Sequence, residues 1–259
     1  VSFSARFLLR TLPGTSHHHF CLTAMQTVHF RDLGQMDYQA AWDFQTLLHR
    51  NLVDNKLNSK HLPLGSYPQA HHLLLVEHPP VYTLGKSGSM DHLLLSAEEM
   101  TRRGIQFFPI NRGGDITFHG PGQIVGYPIL DLDCFFTDVH RYVRNIEEVI
   151  IRTLAEYGID SQRIPGFTGV WITDAAGDRF RKICAIGVHL SRWVTLHGWA
   201  FNVNTPLEYF DYIVPCGIAD EDKTVTSLAR ELGRPVDLQE VKEKIKRHFA
   251  GVFECLIVE

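Results

Sequence analysis

The stretch Arg112-Gly113-Gly114-Asp115-Ile116-Thr117-Phe118-His119-Gly120-Pro121-Gly122-Gln123 restricts what this chain can fold into more than any other. Four glycines and a proline fall within its twelve residues, too many for the interior of a helix or an ordinary strand. Strand-like residues flank it, Ile105 to Ile110 before and Ile124-Val125-Gly126-Tyr127-Pro128-Ile129-Leu130 after. The stretch therefore reads as a tight loop between two strands, where backbone approaches a ligand closely and Arg112 and His119 supply polar contacts. Its spacing is neither that of a dinucleotide fingerprint nor that of a P-loop, since no GK[ST] follows. A glycine-rich hairpin without function is the plainer alternative, and composition alone does not separate the two.

Composition narrows the class. The chain has 259 residues, 44% hydrophobic and 21% charged, as in an ordinary globular protein of one large domain or two small ones. A net charge of −4, with no long basic stripe, argues against a nucleic-acid binder. No apolar run approaches the length of a bilayer span. The five cysteines, Cys21, Cys134, Cys184, Cys216 and Cys255, are odd in number and form no CxxC pair, which points to a reducing compartment and away from a disulfide framework or structural zinc. Residues 1–24 hold Arg6, Arg10, His17-His18-His19 and no acidic residue. That composition suits a mitochondrial transit peptide. An over-extended reading frame with Met25 as a bacterial start is favoured, because Pro13-Gly14 interrupts any amphipathic helix.

In chain order, the pattern predicts a strand over Thr27 to Asp32 and a helix over Asp37 to Val53, then a polar loop or insertion over 54–69. Two short strands follow, Leu73 to Val76 and Val81 to Leu84, and Ser96 with Glu99 forms a capping box for a helix ending at Gly104. After the glycine loop, Thr137 or Asp138 caps a helix whose face Val139, Tyr142, Val143, Ile146, Val149, Ile150, Leu154 and Tyr157 packs a core. Strands are expected over Val170 to Thr173, Phe180 to Leu190 and Trp193 to Asn204, the last interrupted at Gly198. Asp237 and Glu240 open a final helix. Without regular βαβ alternation this is α+β, with a mixed or mainly antiparallel sheet.

Two residues carry chemistry. Alternate residues Phe180, Lys182, Cys184, Ile186, Val188 and Leu190 share one strand face, on which Lys182 is the single charge. A lysine so placed is partnered, or has a lowered pKa, or lies at the strand end and reaches water. Cys216, between Pro215 and Gly217, sits in a stiff turn suited to an exposed nucleophile, whereas Cys184 in mid-strand reads as core. No protease signature surrounds Cys216.

The full string RGGDITFHGPGQIVGYPIL resembles the signature of the octanoyl-(acyl-carrier-protein):protein octanoyltransferases, the lipoate-protein ligase B family. Lys182-Ile183-Cys184-Ala185-Ile186-Gly187 is similar to that family's lysine-bearing strand. His197-Gly198-Trp199-Ala200-Phe201-Asn202-Val203-Asn204 is similar to its HG-x-A-x-N-x-N segment, and Pro215-Cys216-Gly217 to its PCG motif. The blocks keep the family's order, from about Thr27 to the C-terminus.

The resemblance implies a single domain of the biotin/lipoate protein ligase catalytic type, a mixed β-sheet flanked by helices over 25–259, with 1–24 an extension outside it. It implies transfer of octanoyl from octanoyl-acyl carrier protein to a lysine of lipoyl domains, the first step of lipoate cofactor biosynthesis. Acceptors would be apo lipoyl domains of 2-oxoacid dehydrogenase complexes and the glycine cleavage H protein. Cys216 would be the nucleophile and Lys182 its partner and base, with no cofactor, nucleotide or metal. The octanoyl pocket would be lined by Arg112, Gly113, Gly114, Asp115, Ile116, Thr117, Phe118, His119, Ala185, Ile186, Gly187, Gly198, Trp199 and Ala200. His119 and His197 would position, and Asn202 and Asn204 would fix loops. Because the carrier is acidic, a basic patch around Lys86, Arg102, Arg103 or Arg141 is expected. The setting is the bacterial cytoplasm, or the mitochondrial matrix if 1–24 is a transit peptide. An ATP-dependent lipoate ligase, a thiol hydrolase and a silent binding module are the alternatives. Lack of an appended C-terminal domain favours transfer over ligation.

Overall fold

The computed structural model describes residues 25–59, 61–62, 69–174, 176–214 and 222–259. The extension 1–24 and the Pro215-Cys216-Gly217 turn lie outside the described residues. The elements are β1 (Gln26–Gln35), α1 (Tyr38–Asn58), β2 (His71–Glu77), β3 (Val81–Leu84), α2 (Ala97–Arg103), β4 (Gln106–Pro109), β5 (Ile116–His119) and β6 (Gln123–Ile129). They continue with α3 (Val139–Ala155), β7 (Gln162–Ile164), β8 (Phe167–Thr173), β9 (Phe180–Ser191), β10 (Val194–Asn202), β11 (Lys223–Val225), α4 (Leu228–Leu232), α5 (Leu238–Phe253) and β12 (Cys255–Val258).

The main sheet runs β12-β1-β2-β6-β10-β9-β8-β7, with β11 also paired to β9. Among the described residues, only its β1–β12, β1–β2 and β9–β11 pairs are parallel. The sheet is mixed and mainly antiparallel, as the sequence pattern predicts. A smaller sheet, β4-β3-β5, stands beside it.

Both faces of the main sheet are covered, which explains why β2 reads as an unbroken apolar run rather than an alternating one. Leu73 and Leu75 pack with α3 and α5. Leu74 and Val76 pack with Ala41 and Leu52 of α1. The caps follow the sequence signals: Ser96 and Glu99 form the reciprocal box, Asp138 accepts from the Arg141 amide, and Asp237 accepts from the Gln239 amide.

Two expectations are corrected. The segment after Val53 is not loop from Asp54, because α1 continues to Asn58. No glycine or proline interrupts 54–58, and Lys56 ties that turn to the body through Asp131 at 2.7 Å and Asp133 at 2.6 Å. Strand β10 is likewise not broken at Gly198; it runs through from Val194 to Asn202. Gly198 is there for close approach. A Cβ on it would lie 2.1 Å from the Gly126 carbonyl oxygen of β6. The irregular backbone falls one residue earlier, at His197, whose φ is 61°.

Candidate active site

The glycine loop sits between β9 and the turn after β3. The Gly113 amide donates to the Val188 carbonyl at 3.0 Å, and the Lys86 amide donates to the Arg112 carbonyl at 3.0 Å. Bare backbone makes this possible, since a Cβ on Gly85 would lie 2.2 Å from the Gly114 oxygen and one on Gly187 would lie 2.9 Å from that of Gly113. The loop therefore forms one wall of a cavity of about 360 Å³, within the range of small-ligand sites.

Lining that cavity are Arg112, Gly113, Gly114, Asp115, Ile116, Thr117, His119, Ala185, Ile186, Gly187, Gly198, Trp199 and Ala200, together with Lys182. Of the residues expected there from sequence, Phe118 is elsewhere. It lies on the opposite face of β5 from Thr117 and His119, stacked on Tyr209 with ring centroids 4.5 Å apart. Alternation along the strand turns it into the small-sheet core. Cys216 lies outside the described residues.

Arg112 is a clamp. Its Nη2 donates to the Thr83 carbonyl at 2.7 Å and to the Thr83 hydroxyl at 2.9 Å, and Nη1 donates to the Gly113 carbonyl at 3.0 Å. The Thr83 hydroxyl donates onward to His119 Nε2 at 3.3 Å, the acceptor nitrogen of a ring whose Nδ1 holds the hydrogen opposite Gln123 Oε1. His119 Nδ1 then donates to Gln123 Oε1 at 2.9 Å. Gln123 Nε2 donates to Asn202 Oδ1 at 2.9 Å, and Asn202 Nδ2 donates to the Thr226 carbonyl at 3.0 Å. Every hydrogen in this chain has one direction, fixed by a donor-only group at one end and an acceptor-only carbonyl at the other. Both His119 nitrogens are committed, and burial holds the ring pKa well below the usual histidine value, with His78 and Arg112 adding to the effect. His119 is thus a neutral positioning group. Asn202 and Asn204 satisfy backbone groups as expected, Asn204 through Val236.

His197 is neutral too, its pKa pushed down to about 3 by burial and then by Arg112. Its Nε2 donates to Asn111 Oδ1 at 2.7 Å. Lys182 is half-buried, with Nζ 4.5 Å from the centroid of the fully buried Trp171 ring. It is the third residue of β9, inside the strand rather than at its end. The register with β8 shifts between Val170 and Trp171, so strict alternation does not run through Ile183. Next to this irregularity, the buried Glu147 of α3 accepts from the Gly169 amide at 3.0 Å and holds β8 in place. Cys184 is fully buried, and burial pushes its thiol pKa well up, as befits a core residue.

Residues 37–250 match the lipoyl protein ligase A/B catalytic domain. The chain belongs to that family. A relative named octanoyltransferase in Flavobacterium johnsoniae is 54% identical over 89% of this chain and 98% of its own length. One of the same name in Flavobacterium psychrophilum is 53% identical over 90% and 99%. Among solved structures, the bipartite lipoate protein ligase of Thermoplasma acidophilum superposes with a TM-score of 0.60 at 16% identity, over 92% of this chain and 87% of that one. At that identity the likeness is one of fold, and it agrees with the α+β architecture expected from the motifs.

Several residues of this ligase-type cavity escaped the sequence reading. Tyr38 and Val143 line it, yet Val143 read only as part of a core-packing helix face and Tyr38 only as a residue of the helix from Asp37. Tyr38 stacks on His119 with centroids 5.8 Å apart. Tyr127 also lines it and donates to His78 Nε2 at 2.8 Å, since His78 Nδ1 is engaged with the Met36 carbonyl at 2.7 Å. Only Gln123 carried a signal, as the polar end of the glycine stretch. No helix among the described residues is long and apolar enough to cross a membrane.

Proposed function

We propose that this protein transfers an octanoyl group from octanoyl-acyl carrier protein to a lysine of lipoyl domains through a Cys216 thioester. The observation that carries the reading is Lys182, an ammonium on the lining of a glycine-walled, largely apolar cavity. High identity to relatives named octanoyltransferase supports it. Lys182 favours the thiolate of Cys216, the nucleophilic form of that side chain. The thiolate attacks the donor thioester carbonyl, the bond to the pantetheine sulfur breaks, and octanoyl-Cys216 remains. Once acylation removes the thiolate charge beside it, the Lys182 ammonium gives a proton to water. An amine of the acceptor then attacks this thioester, the neutral Lys182 amine takes the nitrogen's proton, and the Cys216 thiolate leaves. Arg112, Gly113, Gly114, Asp115, Ile116 and Thr117 with Ala185, Ile186, Gly187, Gly198, Trp199 and Ala200 hold the acyl chain, while Arg112 and His119 keep the loop in shape. Thioester to amide runs downhill, so no nucleotide is required.

Acceptors in this reading are lipoyl domains of 2-oxoacid dehydrogenase complexes and the glycine cleavage H protein, in the bacterial cytoplasm. The acidic carrier docks on the basic patch near Arg102, with Arg103 held 4.6 Å over the Tyr212 ring. Charge reversal there should weaken carrier binding.

Intact-protein mass spectrometry after mixing with octanoyl-acyl carrier protein tests the chemistry. The expected result is an octanoyl adduct on Cys216 that discharges onto apo lipoyl domain and is lost in Cys216→Ser. Octanoylation that requires ATP and free octanoate would move the protein to the ligases, and no acylation by either route would leave a silent binding module.

A further inference from the structure

His92 and Asp115 form a pair that the cysteine–lysine chemistry does not use. Asp115 is buried, and its Oδ1 accepts from the Ile116 amide at 2.7 Å. Its Oδ2 meets His92 Nδ1 in a short contact. A carboxylate only accepts, so Nδ1 carries a hydrogen and Nε2 is the ring atom left to give or take a proton. The His92 side chain is 37% exposed against 7% for Asp115. This is an imidazole oriented from behind by a buried carboxylate, the arrangement that acyl-transfer enzymes use to aim a general acid or base.

Its position is as informative as its geometry. Asp115 lines the cavity. The His92 carbonyl accepts from the Val214 amide at 2.8 Å, and the neighbouring Leu93 bridges Ile213. From Val214 the sequence continues through Pro215 to Cys216. His92 therefore touches the cavity wall with its ring and the chain two residues before Cys216 with its backbone.

We infer that His92, oriented by Asp115, is the general acid for the departing carrier thiol, an inference that rests on the acyl-transfer reading above. When the bond between the octanoyl carbonyl carbon and the pantetheine sulfur breaks, its electron pair goes to sulfur. The imidazolium Nε2 proton goes to the same sulfur, so the carrier leaves as a neutral thiol. His92 regains its proton from water, to which its side chain is open, while Lys182 handles the acceptor nitrogen in the second half-reaction.

Leaving-group dependence tests this without reliance on pH. Thiol release in a single turnover is measured for wild type, His92→Asn and Asp115→Asn with two octanoyl donors. One is octanoyl-acyl carrier protein; the other is the octanoyl thioester of 5-thio-2-nitrobenzoate, whose thiolate departs without protonation. His92→Asn should lose about 100-fold or more with the carrier substrate and stay within about threefold of wild type with the aryl thioester, and Asp115→Asn, which also alters the acyl pocket and so slows both donors, should still fall further with the carrier than with the aryl thioester. Equal losses on both donors, or none with the carrier, overturn the assignment of His92 and leave the transferase standing. Wild-type protein that forms no acyl adduct with either donor overturns the transferase reading and His92 with it.

Discussion

Thr83 is the residue on which the hydrogen-bond chain of the cavity turns. Its hydroxyl both accepts from Arg112 and donates to His119. Thr83→Val keeps the shape but leaves His119 Nε2 buried without a donor, which should destabilise the fold by about 1–3 kcal/mol. Urea unfolding of the variant measures it; an unchanged midpoint would mean that the chain orients His119 without stabilising it. The sequence announced Arg112 and His119, because both belong to a glycine-rich string with an unusual local composition. Thr83 was silent, since it lies 29 residues from Arg112 and is an ordinary strand residue until β3 and β5 pair. His92 was silent for the same reason, as its relation to Asp115 and Val214 exists only once the loops have met.

At the level of elements, local signals served well where the cause is local. Ser96, Asp138 and Asp237 cap the helices that their side chains predict. The misses have non-local causes: α1 outlasts its apolar pattern because Lys56 meets Asp131 and Asp133, and β10 passes through Gly198 because β6 needs the space. That second cause can be tested with two alanines. In Gly198→Ala the new methyl would lie 2.1 Å from the Gly126 oxygen and 2.8 Å from Pro128 Cδ, so β6 and β10 must separate. The cost should be about 1–3 kcal/mol or more, with loss of the acyl adduct because Gly198 lines the cavity. Gly251, by contrast, is exposed on α5, and a methyl added there would meet nothing within 4 Å. Gly251→Ala should stabilise by about 0.5–1 kcal/mol through helix propensity alone. If the two variants shifted the urea midpoint alike, close approach would not be why β10 carries a glycine.

The molecule as a whole buries neutral histidines, and this sets its response to acid. Burial pushes the pKa of His71 and His197 down to about 3 and that of His78 down to about 4. Structure shows why protonation is resisted: His71 Nδ1 accepts from the Asp131 amide and His78 Nε2 accepts from Tyr127, so an added proton would displace a hydrogen bond. In the unfolded chain each ring titrates near the ordinary value of about 6.5. Above that pH both states are neutral and the three groups leave stability unchanged. As the pH falls below it, the unfolded chain binds protons that the folded protein refuses, so stability falls with pH until the folded values are reached. At pH 5.5 the three rings together should have cost roughly 4 kcal/mol. That is a large part of the 5–15 kcal/mol typical of a folded domain, so acid unfolding should set in between about pH 5.5 and 4. Urea titrations at half-unit steps from pH 7.5 to 4.5 measure this directly. A midpoint that stayed level down to pH 5 would show that these rings take up protons in the folded state, and with them the hydrogen-bond directions assigned to His71 and His78 would have to be withdrawn.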